Sequence, residues 1–409
     1  MTDEFFSRAM QLDAADPLAG YLEEFVPPAD DSVVAYLDGN SLGRPLKSAQ
    51  AALADLVTGA WGTGLIRSWT DGEDPWMNWP ERIGDLIGRG CLGAAPGQTV
   101  VADSTTVMLY KLARAGVAAR PGRDEIVLDR DNFPTDRYVL EGIAAERGLR
   151  LVWIDSGVED GVTPDQVAAV VGERTALVVL SHVAYRSGWL ADAEAITRIA
   201  HDAGALILWD LCHSVGSVPI ALDAWCVDLA VGCTYKYLNG GPGAPAFGYI
   251  RAALQAEIRQ PIQGWMGRAE PFEMAQGYVP AGGIRSLVSG TPPVIGMVPV
   301  RAGAEVVERA GIEAIREKSI ALTSLAIELS DDVLAPLGVR VASPRDPHRR
   351  GGHVTIARAD FRSVNERLWR EGVIPDFRAP DGIRLGLSPL STRYADVVTA
   401  IDRLAGLLR

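Results

Sequence analysis

Ala205-Leu206-Ile207-Leu208-Trp209-Asp210-Leu211-Cys212-His213 reads as a strand that ends in a carboxylate. Its five apolar residues run without polar alternation, which suits a parallel strand covered by helices on both faces. Just upstream, residues 192–203 are amphipathic and Gly204 stops them, so a helix feeds directly into the strand. The same alternation of short apolar runs and amphipathic stretches extends from about residue 100 to residue 250. It gives strand candidates at 126–128, 151–154, 176–181, 205–209, 229–233 and 246–250. Between two of these, Thr163-Pro164-Asp165-Gln166 combines an N-cap, a first-turn proline and a capping-box glutamine, and predicts a helix start.

These units make the expected fold class α/β, with a large domain built on a mainly parallel sheet. Beyond the turn-rich residues 282–293, the pattern changes to long amphipathic helices at 299–308 and 312–334. Short strand-like pieces follow near Val339, Val354 and Ile383, which predicts a smaller carboxy-terminal α+β domain. The expected division is an amino-terminal arm over 1–45 that contributes to the small domain and active site, a large domain over 46–298 and a small domain over 299–409. The stretch with Pro27, Pro28, Asp30 and Asp31 reads as extended.

With 409 residues and 48% hydrophobic content, the chain can bury a large core and exceeds the size at which single cores usually split. A formal net charge of -13 disfavours nucleic acid and anionic membrane surfaces as partners. The start, with Asp3 and Glu4, does not resemble a signal peptide, and charges and glycines interrupt every candidate membrane span. Cys91, Cys212, Cys226 and Cys233 form no CxxC pair, so reduced thiols and a cytoplasmic location are expected. His348 and His353 flank a stretch of loop composition without helical ligand spacing, and no metal site is expected there.

In open α/β sheets ligands gather at the carboxyl ends of strands. Three candidate strands end in polar residues: Ser181-His182, Asp210-Leu211-Cys212-His213 and Thr234-Tyr235-Lys236-Tyr237. Asp210 alone could be a strand-end carboxylate capping a turn, and Lys236 alone a solvated loop charge. Together, with Gly240, Gly241 and Gly243 after the lysine, they match the needs of pyridoxal 5′-phosphate (PLP). That cofactor is an electron sink while its ring nitrogen stays protonated, a state that a buried carboxylate maintains. It also requires a lysine that holds it as a Schiff base and afterwards serves as general base.

Six blocks carry a wider resemblance: Tyr36-Leu37-Asp38-Gly39-Asn40-Ser41-Leu42-Gly43, Phe133-Pro134-Thr135-Asp136, Asp210-Leu211-Cys212-His213-Ser214-Val215-Gly216, Tyr235-Lys236-Tyr237-Leu238-Asn239, Gly264-Trp265-Met266-Gly267 and Gly382-Ile383-Arg384. In this order, over nearly the whole chain, they resemble the kynureninase family, PLP enzymes of the fold-type I (aspartate aminotransferase-like) class. The resemblance implies that Lys236 binds PLP, Asp210 partners its ring nitrogen and His213 lies near it. Phe133 is implied as the ring-stacking aromatic, with Asp136 and Ser181 as further cofactor contacts. Thr105, Thr106, Tyr235, Trp265 and Thr291 are implied as the phosphate-binding group. Arg384 would clamp the substrate α-carboxylate with Asn40, and Tyr235 would relay protons. Trp61, Trp69, Trp76 and Trp79 read as core packing by default, although the family places an aryl-binding wall here, and Trp61 is the residue expected to reach substrate.

The implied activity is hydrolysis of the Cβ–Cγ bond of L-kynurenine to anthranilate and L-alanine, in the kynurenine pathway of tryptophan catabolism and NAD biosynthesis. The 3-hydroxy substrate stays open, since one hydroxyl is read by one or two pocket contacts. A homodimer is also implied, with Trp265 and Thr291 supplied by either chain. This sequence departs from many relatives at Cys212 (commonly alanine), Met266 (commonly phenylalanine) and Thr291 (asparagine in some). Alternatives are another fold-type I activity, such as an aminotransferase or cysteine desulfurase, and a non-catalytic binding protein on the same scaffold. Tyr235, where desulfurases typically carry histidine, counts against the desulfurase. Retention of Asp210, Lys236 and Arg384 counts against the binding protein.

Overall fold

The structure is a computed structural model that describes residues 2–409. After a short strand β1 (Ala35–Tyr36), the chain lays down β2 (Thr99–Val101), β3 (Glu125–Asp129), β4 (Arg150–Ile154), β5 (Thr175–Ser181), β6 (Leu206–Asp210), β7 (Leu229–Gly232) and β8 (Phe247–Ile250). The last seven form one sheet in the order β2-β8-β7-β6-β5-β3-β4. Strands β4, β3, β5, β6 and β7 run parallel to one another, as the unbroken apolar runs predict. Burial explains those runs: Val178, Leu180, Ile207 and Trp209 enter the core on one face of the sheet, while Leu177, Val179, Leu206 and Leu208 enter the core on the other.

One expectation of parallel pairing is corrected. β8 runs antiparallel to both β7 and β2. The segment joining β7 to β8 holds no helix that could carry a parallel crossover, because its residues form the turns around Lys236. Gly241 and Gly243 adopt φ of 82° and 74° there, a left-handed conformation that only glycine takes without cost.

The predicted capping box is present: the Thr163 side chain accepts from the Gln166 N–H and the Gln166 side chain accepts from the Thr163 N–H. Asp192 caps Ala193–Asp202, the helix that leads into β6, and Gly204 ends it at φ 75°. The helix expected to start at Pro299 instead spans Val294–Ala310 with that proline inside it. Pro299 has no N–H to give the Ile295 carbonyl, and Ile295 is exposed, so water can satisfy the freed acceptor. The amino terminus, read only as an arm, opens with a helix, Thr2–Ala15, whose Ala9 is buried against the carboxy-terminal helix Tyr394–Leu408.

A second sheet combines β9 (Arg340–Val341), β10 (His353–Ala357), β12 (Asp376–Arg378) and β13 (Gly382–Gly386) in the antiparallel order β12-β13-β10-β9. β1 pairs in parallel with β11 (Val373–Ile374), and Asp38 bridges to Gly386 at the end of β13. The arm is thereby laid against the strand that carries Arg384. No helix among the described residues is long and apolar enough to cross a membrane.

His182, just after β5, is buried between Trp209 and Trp225 at ring-centroid distances of 5.9 and 5.7 Å. Burial, and then the charge of Arg316, pushes its imidazole down from 6.5 to about 4. A histidine held neutral in the fold but free to protonate when unfolded stabilises fully above the unfolded value. That contribution is lost as pH falls from 6.5 towards 4. Between pH 7 and pH 5 the wild type should therefore lose about 2 kcal/mol that a His182→Phe variant keeps. Urea titrations at the two pH values measure the difference, and equal losses in both proteins would reject it.

Candidate active site

Four adjacent parallel strands, β3, β5, β6 and β7, end at one edge of the sheet, and each delivers residues marked in the sequence. Phe133 follows β3, Ser181 closes β5, Asp210 closes β6 and Lys236 follows β7. Register places Ser181 opposite Asp210, and Asp210 opposite Val231. Neighbouring strands lie about 4.8 Å apart, so this edge spans roughly 15 Å.

Lys236 is buried, and its Nζ lies 3.2 Å from Nε2 and 3.4 Å from Nδ1 of His213. The rings of Phe133 and Tyr235 are 5.9 and 6.0 Å from the same nitrogen. Burial, followed by the charges of Lys236 and Arg384, holds the His213 imidazole well below its usual range. His213 is thus a neutral acceptor between two cations. Tyr235 has its phenol pushed upward, mainly by burial and then by Cys233 and Cys212, which keeps it a proton donor.

Asp210 is fixed by its neighbours: Oδ1 accepts the Cys212 N–H at 2.8 Å, and Oδ2 lies 3.3 Å from the Ser181 hydroxyl. The Ser181 hydroxyl donates to Asn132 Oδ1 at 2.8 Å. Asp136 is buried in the first turn of the helix Pro134–Arg147. Burial and then the charges of Asp210 and Asp129 raise its carboxyl well above the usual range. Asp136 Oδ2 and Asn132 Nδ2 are buried with no partner among the described residues. Such atoms are the groups a polar ligand would satisfy.

Arg384 arrives from the second sheet and is 1% exposed. Its Nε donates to Asp376 Oδ1 at 2.7 Å and its Nη2 to Asp376 Oδ2 at 2.6 Å. Nη2 also donates to Ser41 Oγ at 2.8 Å, and Nη1 to the Tyr185 carbonyl at 2.7 Å. Nη1 lies 3.4 Å from His213 Nε2, the nitrogen that Lys236 approaches. Asn40 is fully buried beside this group, with both side-chain polar atoms unpartnered among the described residues. Burial and the charge of Asp376 push the Asp38 carboxyl up to about 6.

Lys236, Tyr235, His213, Phe133, Asp136, Asp210, Ser181 and Arg384 therefore share one neighbourhood. No hydrogen bond or ring contact joins Thr105, Thr106, Trp265, Thr291 or Trp61 to it. Thr105 and Thr106 open the helix Thr105–Ala118, capped by Ser104. Trp265 is 38% exposed and stacks edge-on with Phe272 at 5.8 Å, and Thr291 is exposed. Trp61, 49% exposed, lines a cleft of about 310 Å³ with Trp69, Trp76 and residues 292–296, which follow Thr291 directly. Trp76 and Trp79 are buried, as ordinary core packing requires.

Sequence reading missed Asp376, Asn132, Tyr185 and His353. Asn132 directly precedes the Phe133 block, a signal that was available. His353, read as part of a loop, opens β10 with its buried ring 5.8 Å from His213. Burial, then Arg384, pushes it down to about 3.

The architecture is that of the fold-type I, aspartate aminotransferase-like class. A cysteine desulfurase from Escherichia coli matches it with a TM-score of 0.79, covering 96% of this chain and 99% of that one at 18% identity. The cysteine desulfurase from Thermococcus onnurineus matches with 0.78 over 91% and 94% at 18% identity, and at such identities the likeness concerns the fold alone. Within that class, the chain belongs to the kynureninase family. Kynureninase of Burkholderia pseudomallei is 38% identical over 406 residues, spanning 98% of this chain and 94% of the relative. That of Pseudomonas fluorescens is 37% identical over 405 residues, with the same coverage. The kynureninase C-terminal domain model matches residues 315–404, and the DegT/DnrJ/EryC1/StrS aminotransferase family model matches residues 98–219.

Gly43 locks the arm onto the lysine loop. Its N–H donates to the Tyr235 carbonyl at 2.7 Å, and a Cβ there would meet the Lys236 carbonyl and Asn239 Oδ1, each at 2.3 Å. Gly43→Ala should therefore destabilise by about 1–3 kcal/mol. Thermal unfolding checks this, and an unchanged midpoint would contradict so tight an approach.

Proposed function

We propose that this protein hydrolyses the Cβ–Cγ bond of L-kynurenine, giving anthranilate and L-alanine, with PLP as its cofactor. The observation that carries the reading is that the Lys236 amine and the Arg384 guanidinium lie against the same nitrogen of His213. An amine-binding lysine and a carboxylate-binding arginine thus stand within the reach of one amino acid. The buried Asp210, the Phe133 ring beside Lys236 and the unpartnered buried atoms of Asp136 and Asn132 suit the polarity and aromatic ring of PLP.

Bound there, PLP supplies an electron sink that stabilises negative charge at the substrate Cα. Asp210, positioned by the Cys212 N–H and beside the Ser181 hydroxyl, would keep the ring nitrogen protonated. Lys236, once its amine is released, would take the Cα proton as general base. Neutral His213 would stand as an uncharged acceptor beside that amine. Tyr235, which stays protonated, would donate when the aromatic acid leaves. Arg384 and Asn40 would hold the substrate carboxylate, with Ser41 between them in the chain.

Trp61, Trp265 and Thr291 support a homodimer in this reading. They are polar-capable or aromatic residues left exposed on a single chain, where a partner's site would use them. The cofactor phosphate would be taken by Thr105 and Thr106 at a helix start, with Tyr235, Trp265 and Thr291. Composition and charge support a cytoplasmic enzyme. Against a desulfurase reading, exposed Cys226 sits at the opposite end of β7 from Lys236, and Cys212 and Cys233, which lie near the lysine, are buried.

Purified enzyme loaded with PLP and mixed with L-kynurenine should develop anthranilate fluorescence. Lys236→Ala should lose at least about 100-fold in kcat with its circular dichroism unchanged. Absence of anthranilate from the loaded wild type would sink the kynurenine assignment.

A further inference from the structure

We propose that Asp376 is a positioning residue that occupies the Nε/Nη2 side of Arg384, so that the Nη1/Nη2 end of the guanidinium receives the α-carboxylate of an amino-acid substrate, with Arg378 compensating the charge of Asp376. The substrate class rests on the function proposed above, while the geometry of the cluster is independent of it.

A guanidinium has five N–H donors and two edges that can grip a carboxylate in parallel. Asp376 grips the side edge of Arg384 through both oxygens, at 2.7 and 2.6 Å, from the directly opposite position on the neighbouring strand β12. The acceptors at the remaining edge are different in kind. Ser41 Oγ lies 2.8 Å from Nη2, and the Tyr185 carbonyl and His213 Nε2 lie 2.7 and 3.4 Å from Nη1, all of them uncharged groups. An incoming carboxylate therefore displaces neutral partners at the end edge instead of breaking an ion pair at the side. That edge is also the one turned towards His213 and Lys236, where the substrate amine must sit.

A lone Asp376 would cancel the charge of Arg384 and leave the carboxylate little to bind. Arg378 prevents this, with its Nη2 2.6 Å from the same Asp376 Oδ2. Burial raises the Asp376 carboxyl, but the hydrogen bond and charge of Arg384 and the charge of Arg378 outweigh it and hold it below its usual range. Two arginines thus share this one carboxylate, and Asp38, whose carboxyl is pushed up to about 6, is the other acid that faces them. Ser41 reaches both sides of this arrangement, lying 3.2 Å from Asp376 Oδ2, and can turn wholly towards Asp376 when the carboxylate takes its place on Arg384.

The test is spectral titration of PLP-loaded wild type, Asp376→Asn and Arg378→Gln with L-alanine and, separately, with ethylamine, which lacks the carboxylate. Asp376→Asn should raise the Kd for L-alanine at least about 10-fold while that for ethylamine stays within about 2-fold. Arg378→Gln, at a side chain 39% exposed and so tolerant of change, should weaken L-alanine about 5-fold with ethylamine unaffected. L-Alanine affinity that is unchanged or tighter in either variant overturns the proposal, as does equal weakening for both ligands, which a purely structural ion pair would produce. The titration needs no turnover. A protein that fails to cleave kynurenine yet shows this carboxylate-specific loss removes the proposed reaction and leaves the role of Asp376 standing.

Discussion

Burial of both faces of the parallel sheet is the constraint on which the rest of the structure depends. Residues of β5 and β6 alternate between two separate hydrophobic cores, so no polar side chain can stand in the middle of either strand without losing its hydration. Polar chemistry is confined to strand ends. The carboxyl ends of β3, β5, β6 and β7 all reach the same edge, because parallel strands point the same way. Asp210, Ser181, Phe133 and Lys236 converge for this topological reason, although they are far apart in sequence. The antiparallel β8 serves the same end: its short connection to β7 is the loop that presents Lys236.

The second sheet is tied to that edge by polar groups rather than by a shared core. Arg384 carries the tie, bonding to Tyr185 after β5, to Ser41 of the arm and to Asp376 on its own sheet. Each contact comes from a different part of the chain. The result is a site where Lys236 and Arg384 flank a histidine that burial holds well below its usual range, while burial and Asp210 raise the Asp136 carboxyl. Like charges are kept apart by leaving the groups between them neutral.

Much of this was legible in the sequence, and the limits have physical causes. Long apolar runs ending in Asp210 or leading to Lys236 exposed the large sheet and its working edge, because a doubly covered strand leaves a run that no surface segment mimics. The Thr163 capping box was readable since its partners are three residues apart. β11 and β12, two and three residues long, are too short to show a period, and Asp376 acquires its role only through register opposite Arg384. Pro299 misled because a first-turn position is the usual place for proline, whereas an exposed carbonyl allowed it further inside. His353 looked like loop because two glycines precede it.

Trp61, Trp265 and Thr291 mark a limit of another kind. Their types identify them as ligand-contacting candidates, yet they are exposed and no hydrogen bond or ring contact joins them to Lys236. In the homodimer proposed above, such residues would carry no periodic or spacing signal, since their partners would belong to another copy and impose no pattern on the local sequence. What remains visible is a tryptophan half exposed beside a cleft of about 310 Å³; Trp369 is as exposed, so the cleft and not the exposure sets Trp61 apart. Large aromatic surface left in water is costly at about 25 cal/mol per Å². A group that covered Trp61 at this cleft would recover part of that cost.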